Sequence, residues 1–187
     1  MRLFHKRGIP ESARTRSANG DGFTKGWKKR ALVIGCPGAG KSTFARRLRD
    51  ATGLPLYYLD RLFWNADRTS VSGEAFDAGL AEVLQKDCWI IDGNYTRTLP
   101  RRLERCDAVF FLDYPVEICL EGIARRRGTV REDMPWVETE EDREFTAFVR
   151  GFGDTDRPVI LREIENAKGV EVFWFRNRGE AEAWLAR

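Results

Sequence analysis

The chain has 187 residues, a third of them charged, six tryptophans, one histidine and a formal net charge of +3. That length suits one α/β domain with a full core and is short for two, and the longest apolar runs, Cys88–Ile91 and Ala108–Leu112, fall far below the ~20 residues of a membrane-spanning helix. With the only histidine at position 5, no Ser/His/Asp or Cys/His triad can be built from the rest of the chain, and four cysteines without a Cys-x-x-Cys pair speak against zinc.

The first thirty residues hold nine Lys/Arg against two Asp/Glu, a net of +7, so the remaining 23 basic and 27 acidic residues leave the rest at −4. The basic surplus therefore belongs to a leader and not to the face of a folded domain, which weakens the case for a nucleic-acid-binding fold. Residues 1–29 show no sustained period and read as a disordered leader. Such a segment suits an organellar transit peptide, an over-extended start or a tail that touches nucleic acid, while the lack of an apolar core excludes a secretory signal.

From Arg30 the pattern becomes regular. A strand is predicted over 30–35, and it runs into Gly35-Cys36-Pro37-Gly38-Ala39-Gly40-Lys41-Ser42, then into a helix-like stretch over 42–51 that Gly53 ends. The spacing G-x-x-x-x-G-K-S between a strand and a helix is a phosphate cradle. Backbone N–H groups from Gly35, Cys36, Pro37's neighbours, Gly38, Ala39, Gly40 and Thr43 converge on phosphate oxygens, and the helix points its positive end at them. Lys41 reaches the β- and γ-phosphates of a nucleotide such as ATP, and the Ser42 hydroxyl can ligate Mg²⁺.

Further strands are predicted over 55–59, 88–92, 107–113 and 170–175. Between them, helices are predicted over 73–86, about 97–105, 115–127, about 138–150, about 158–167 and 179–186. The alternation gives a parallel sheet with helices on both faces and ligands at the carboxyl ends of the strands. Three carboxylates stand at such ends. Asp92 is expected to be a direct or second-sphere Mg²⁺ ligand with Ser42, Asp60 either a base near an acceptor hydroxyl or an organiser of the substrate loop, and Asp113 a cap for the next helix.

Arg97, Arg101, Arg102 and Arg105 form one basic group and Arg125, Arg126 and Arg127 another, mostly solvated helix faces. Arg126 and Arg127, with Arg131, are placed to close over a transferring phosphoryl group, because they lead into a charged segment over about 128–157 that reads as a lid. Arg176, in the turn Arg176-Asn177-Arg178, either touches the donor base or belongs to a plain polar loop. Phe63 and Trp64 stack a base, shape another small-molecule pocket or lie in the core. Cys88, Cys106 and Cys119 sit in or beside apolar segments as buried reduced thiols, which favours a cytoplasmic setting.

The cradle Gly35–Ser42, the segments Tyr58–Trp64 and Trp89–Tyr95, and Phe111–Pro115 together resemble the adenylate-kinase-related proteins labelled DNA topology modulation proteins, over residues 30–187. The resemblance implies a P-loop NTPase, a three-layer α/β/α fold with a five-stranded parallel sheet and an Arg-bearing lid, using ATP with Mg²⁺. Adenylate kinases carry Asp-Gly-aromatic-Pro-Arg at the third strand, with the arginine on the monophosphate; here Asp92-Gly93 is followed by Asn94-Tyr95-Thr96-Arg97, one place late. The expected activity is transfer of the γ-phosphoryl group of ATP to a small acceptor, a nucleoside monophosphate being one candidate. The other reading is a nucleotide-dependent regulator that binds DNA or a partner through its basic tail. A monomer that touches no membrane is expected in either case.

Overall fold

A computed structural model describes residues 29–186. All but the last residue of the expected leader lies outside them. Five strands form one parallel sheet in the order β2-β3-β1-β4-β5, where β1 is Arg30–Gly35, β2 Leu56–Tyr58, β3 Trp89–Asp92, β4 Ala108–Leu112 and β5 Glu171–Phe175. The three central strands are buried along nearly their whole length, which is why Ala31–Ile34, Trp89–Ile91 and Ala108–Leu112 read as unbroken apolar runs and not as alternation. The register sets Gly35 beside Leu112 and Val33 beside Asp92, so β1 and β4 end level at one edge and β3 ends two residues before them.

Helix α1 (Lys41–Thr52) packs on β1 and β3, and its Phe44 meets Phe110, Phe175 and Trp184. The others are α2 (Leu59–Phe63), α3 (Gly73–Leu84), α4 (Leu99–Leu103), α5 (Val116–Arg126), α6 (Arg143–Gly151), α7 (Asp156–Asn166) and α8 (Arg178–Leu185). Trp184 of α8 packs over β4 and β5, meeting Phe110 and Phe173 edge to face. Among the described residues no helix is long and apolar enough to cross a membrane.

Several expectations are corrected. The strand expected to 59 stops at Tyr58, and Asp60 sits in the first turn of α2, a five-residue helix too short to show a period. The helix expected from 97 is a 3₁₀ turn, Thr96–Thr98, followed by α4, with Pro100 at the start of the new helix. The helix expected from 138 begins only at Arg143, where Asp142 caps it by accepting the Phe145 N–H at 2.8 Å. Asp113 caps nothing. Its carboxylate accepts two hydrogen bonds from Arg157 at 2.7 and 2.8 Å and one from Trp174 Nε1 at 3.0 Å, and so ties the end of β4 to α7 and β5.

Candidate active site

Two contacts define the path of the cradle. The Asn94 side chain accepts the Gly35 N–H at 2.9 Å and donates to the Gly35 carbonyl at 2.7 Å, fastening the loop after β3 to the last residue of β1. Farther on, the loop touches α5 backbone to backbone. A Cβ at Gly38 would fall 2.0 Å from the Cys119 carbonyl oxygen, and one at Gly122 would fall 2.0 Å from the Gly38 carbonyl oxygen. Cys36, in the same loop, is buried, and a hydrogen bond with Cys119, followed by burial, pushes its thiol pKa up, so it stays protonated. Lys41 Nζ donates to the Cys36 carbonyl at 3.2 Å, folded back over the cradle.

A cavity of about 720 Å³ opens over Gly38–Thr43 and extends between α1, α5 and α8, with Arg46, Arg125 and Arg178 on its walls. A second, of about 800 Å³, lies over the ends of β2 and β3 and is lined by Asp60, Asp92, Tyr95 and residues of the 127–148 stretch. Lys41, Ser42, Arg126, Arg131 and Asp133 line both.

Asp92 is 5% exposed, and its Oδ1 is buried with no hydrogen-bond partner. Burial pushes its pKa up to about 7, and the Lys41 charge and a Ser42 hydrogen bond only partly oppose this. A buried carboxylate oxygen without a partner next to a serine hydroxyl is a donor set that suits a hard divalent cation. No group of three His, Cys, Asp or Glu among the described residues could hold a metal by itself. Mg²⁺ would therefore take Ser42 and Asp92 from the protein and its other ligands from phosphate and water.

Asp60 is half-buried, and its Oδ1 accepts the Tyr95 hydroxyl at 2.8 Å. Desolvation holds its carboxyl above the ordinary range against the pull of Tyr95 and Lys41. Tyr95 itself has a left-handed backbone, φ 39°, in a loop held from beneath by Arg102. The buried Arg102 guanidinium donates to the carbonyls of Gly93 at 2.9 Å, Tyr95 at 3.2 Å and Asn94, and burial lowers its pKa to about 9. This residue is no part of a solvated face. The available signal was its place three residues after Leu99 and beside Leu103, both buried on the same short helix.

The lid arginines divide. Arg126 pairs with Glu138 through Nε at 3.1 Å and Nη2 at 3.2 Å, and Arg131 lies 3.6 Å from Asp133 and 3.7 Å from Glu138. Arg127 is exposed, lines only the second cavity and has no ion pair among the described residues. Glu138 and the buried Asp133, which also lies 3.8 Å from Arg46, are not singled out in the sequence, where they are two of many charges in the 128–157 segment. The chain just before Asp133 is tied down by Glu132, which pairs with Arg49 at 2.7 Å and accepts Arg61 Nε on its carbonyl at 2.9 Å.

Arg176 is not brought to either cavity. Its guanidinium lies over the Trp174 ring at 4.3 Å and 3.9 Å from Asp113, whereas Arg178, two residues on, lines the cavity over the cradle. Arg97 is held on the surface by two hydrogen bonds to Asp77, at 2.9 and 2.7 Å. Phe63 and Trp64 are half-buried and line the second cavity. All four cysteines are free thiols, with Cys88 less buried than the other three.

No protein-family model and no curated protein matches the chain. Among solved structures it is similar to a shikimate kinase from Acinetobacter baumannii in complex with shikimate, at 16% identity and TM-score 0.58, over 84% of this chain and 89% of that one. It is also similar to a shikimate kinase from Bacteroides thetaiotaomicron, at 16% identity and TM-score 0.51, over 85% of this chain and 95% of that one. The fold shared with them is a five-stranded parallel sheet between helices.

Proposed function

We propose that the chain is an ATP-dependent phosphotransferase that moves the γ-phosphoryl group to a hydroxyl of a small acceptor. One observation carries the reading: the cavity over the cradle and the cavity over Asp60 meet at Lys41, Ser42, Arg126, Arg131 and Asp133. A donor phosphate chain in the first and a hydroxyl in the second would thus face each other across a shared wall of cations, which is the arrangement in-line phosphoryl transfer needs. The similar folds are those of kinases, which supports the same reading.

In this reading the cradle N–H groups bind the β-phosphate and Lys41 leaves the Cys36 carbonyl to meet the β- and γ-oxygens. Asp60, oriented by Tyr95 and more basic than an exposed aspartate, accepts the proton of the attacking hydroxyl. Arg126 and Arg131 neutralise charge on the transferring group, and Arg127 joins them from the rim when the lid closes, which keeps water out. ADP and the phosphorylated acceptor then leave. Mg²⁺, when bound by Ser42 and Asp92, supplies charge neutralisation at the phosphate oxygens. The enzyme works as a cytoplasmic monomer on a soluble substrate.

Lys41→Ala tests the donor site. It removes one charge-assisted contact and leaves no core cavity, so the variant should fold and bind ATP at least about tenfold more weakly by calorimetry. Wild-type affinity together with wild-type ADP formation would reject the reading.

A further inference from the structure

The wall of the second cavity bears on what the acceptor can be. The arginines at and after the end of β3 all turn away from it. Arg97 is held by Asp77 on the outer surface, Arg102 is buried beneath the loop and bonded to three carbonyls, and Arg105 donates to the Leu84 carbonyl at 3.3 Å. Arg101 is exposed and lines neither cavity. The cations that do line the second cavity are placed elsewhere. Lys41, Arg126 and Arg131 stand on the boundary with the cradle, where donor phosphates engage them, and Arg68 and Arg127 are exposed at the rim.

What faces the acceptor is aromatic. Phe63 lies 5.3 Å from Tyr95 and 4.8 Å from Trp64, and Trp64 meets Trp136 edge to face at 5.5 Å and 84°. These rings come from α2, the loop after β3 and the lid segment, so the wall is assembled by the fold around one space. Its polar groups include Asp60, whose Oδ2 accepts no hydrogen bond among the described residues, with Thr96, Thr139 and Thr146, while the carboxylates of Glu140, Glu141, Asp142 and Asp156 line the same cavity. A phosphate or carboxylate carried in on the acceptor to the aromatic floor would be desolvated among like charges, because the two guanidiniums without an ion pair among the described residues, Arg68 and Arg127, stand exposed at the rim. A flat, uncharged ring finds stacking surface and a base for its hydroxyl.

We propose that the acceptor is an uncharged hydroxyl compound with a flat apolar face, in the chemical class of an unphosphorylated nucleoside. The proposal rests on the phosphotransferase reading above. It places the attacking hydroxyl at Asp60, with the proton passing to that carboxylate and the new phosphate ester forming as ADP departs, so the balance is that of ordinary transfer from ATP.

The test uses matched pairs on the full chain: nucleosides against their 5′-monophosphates, and the methyl ester of a cyclic polyol carboxylate against the free acid. Binding is read from tryptophan emission, and transfer from ADP formation with ATP and Mg²⁺. The neutral member of a pair should bind at least about tenfold more tightly than the anionic one, in line with the cost of burying an unpaired charge. Its emission change should shrink in Trp64→Leu and, as a second probe of the same wall, in Trp136→Leu. Tighter binding of the anionic members, or no binding of any neutral member at millimolar concentration, overturns the proposal. Neutral compounds that bind at Trp64 without provoking ADP formation would reject the phosphotransferase reading and leave the ligand class standing. ADP formation with monophosphates alone would do the reverse.

Discussion

Replacing Gly122 by alanine should weaken the protein and its hold on ATP, against the usual direction of such a change. Glycine to alanine in a helix interior ordinarily gains roughly 0.5–1 kcal/mol. At Gly122, however, the new Cβ would lie 2.0 Å from the Gly38 carbonyl oxygen, and both partners are backbone, so no side-chain rotation relieves the contact. Reaching an ordinary contact near 3.4 Å requires the cradle and α5 to part by more than 1 Å. Overpacking of that kind costs about 1–3 kcal/mol, more than the helix gains. For a domain of this size a net loss of about 1–2 kcal/mol lowers the melting temperature by roughly 2–8 °C. The movement falls on the carbonyl next to the phosphate-binding N–H groups, and misplacement by about 1 Å can weaken positioned contacts a hundredfold. Gly79→Ala is the control, because its Cβ would meet only Leu62 Cδ2 at 3.7 Å, an ordinary contact on α3. Thermal melts and ATP titrations of both variants decide the matter. If Gly122→Ala melts higher than wild type, as Gly79→Ala should, and binds ATP equally well, the backbone contact between cradle and α5 does not constrain the loop.

Asp92 should make the metal-free, nucleotide-free protein less stable as pH rises. Its folded pKa, about 7, lies above the ordinary carboxylate value near 4, so the stability contributed by the neutral form is complete below about pH 4 and is lost as pH climbs through 7, on the order of 4 kcal/mol in all. Urea denaturation across that range should show wild type falling relative to Asp92→Asn, and parallel curves would refute the buried, unpaired state of the carboxylate. Arg102→Met should cost about 3 kcal/mol or more, because three carbonyl partners lose their donor, and an unchanged urea midpoint would show that the clamp under the Asn94–Tyr95 loop contributes nothing. Arg127→Ala should lower kcat by roughly two to four powers of ten if its unpaired guanidinium closes on the transferring group. A rise in KM with kcat intact would instead make it a surface arginine.

The parts of the site that could be read from the chain are those in which neighbours in sequence are also neighbours in space. The cradle is such a part: eight consecutive residues between an apolar run and a helix, each needed for its own backbone or side-chain atoms, and Ser42 and Asp92 come together because the helix after β1 packs against the adjacent parallel strand β3. Asp60 was found as a residue but not as part of a helix, since α2 has only five residues. Asp113 looked like a cap because Pro115 follows it, but its partners are Arg157 and Trp174, 44 and 61 residues away, and no local pattern announces them. The arginines make the same point about charge. The sequence counts Arg97, Arg102, Arg126 and Arg127 as equal cations, and the fold makes them unequal. Asp77 neutralises the first, backbone carbonyls surround the second, Glu138 holds the third, and Arg127, at the cavity rim, is the one of the four without a partner among the described residues. What a site of this kind can bind is therefore decided less by how many cations the chain supplies than by which of them the tertiary pairing leaves uncompensated, and here that pairing removes the arginine nearest β3 from the acceptor and leaves an aromatic wall in its place.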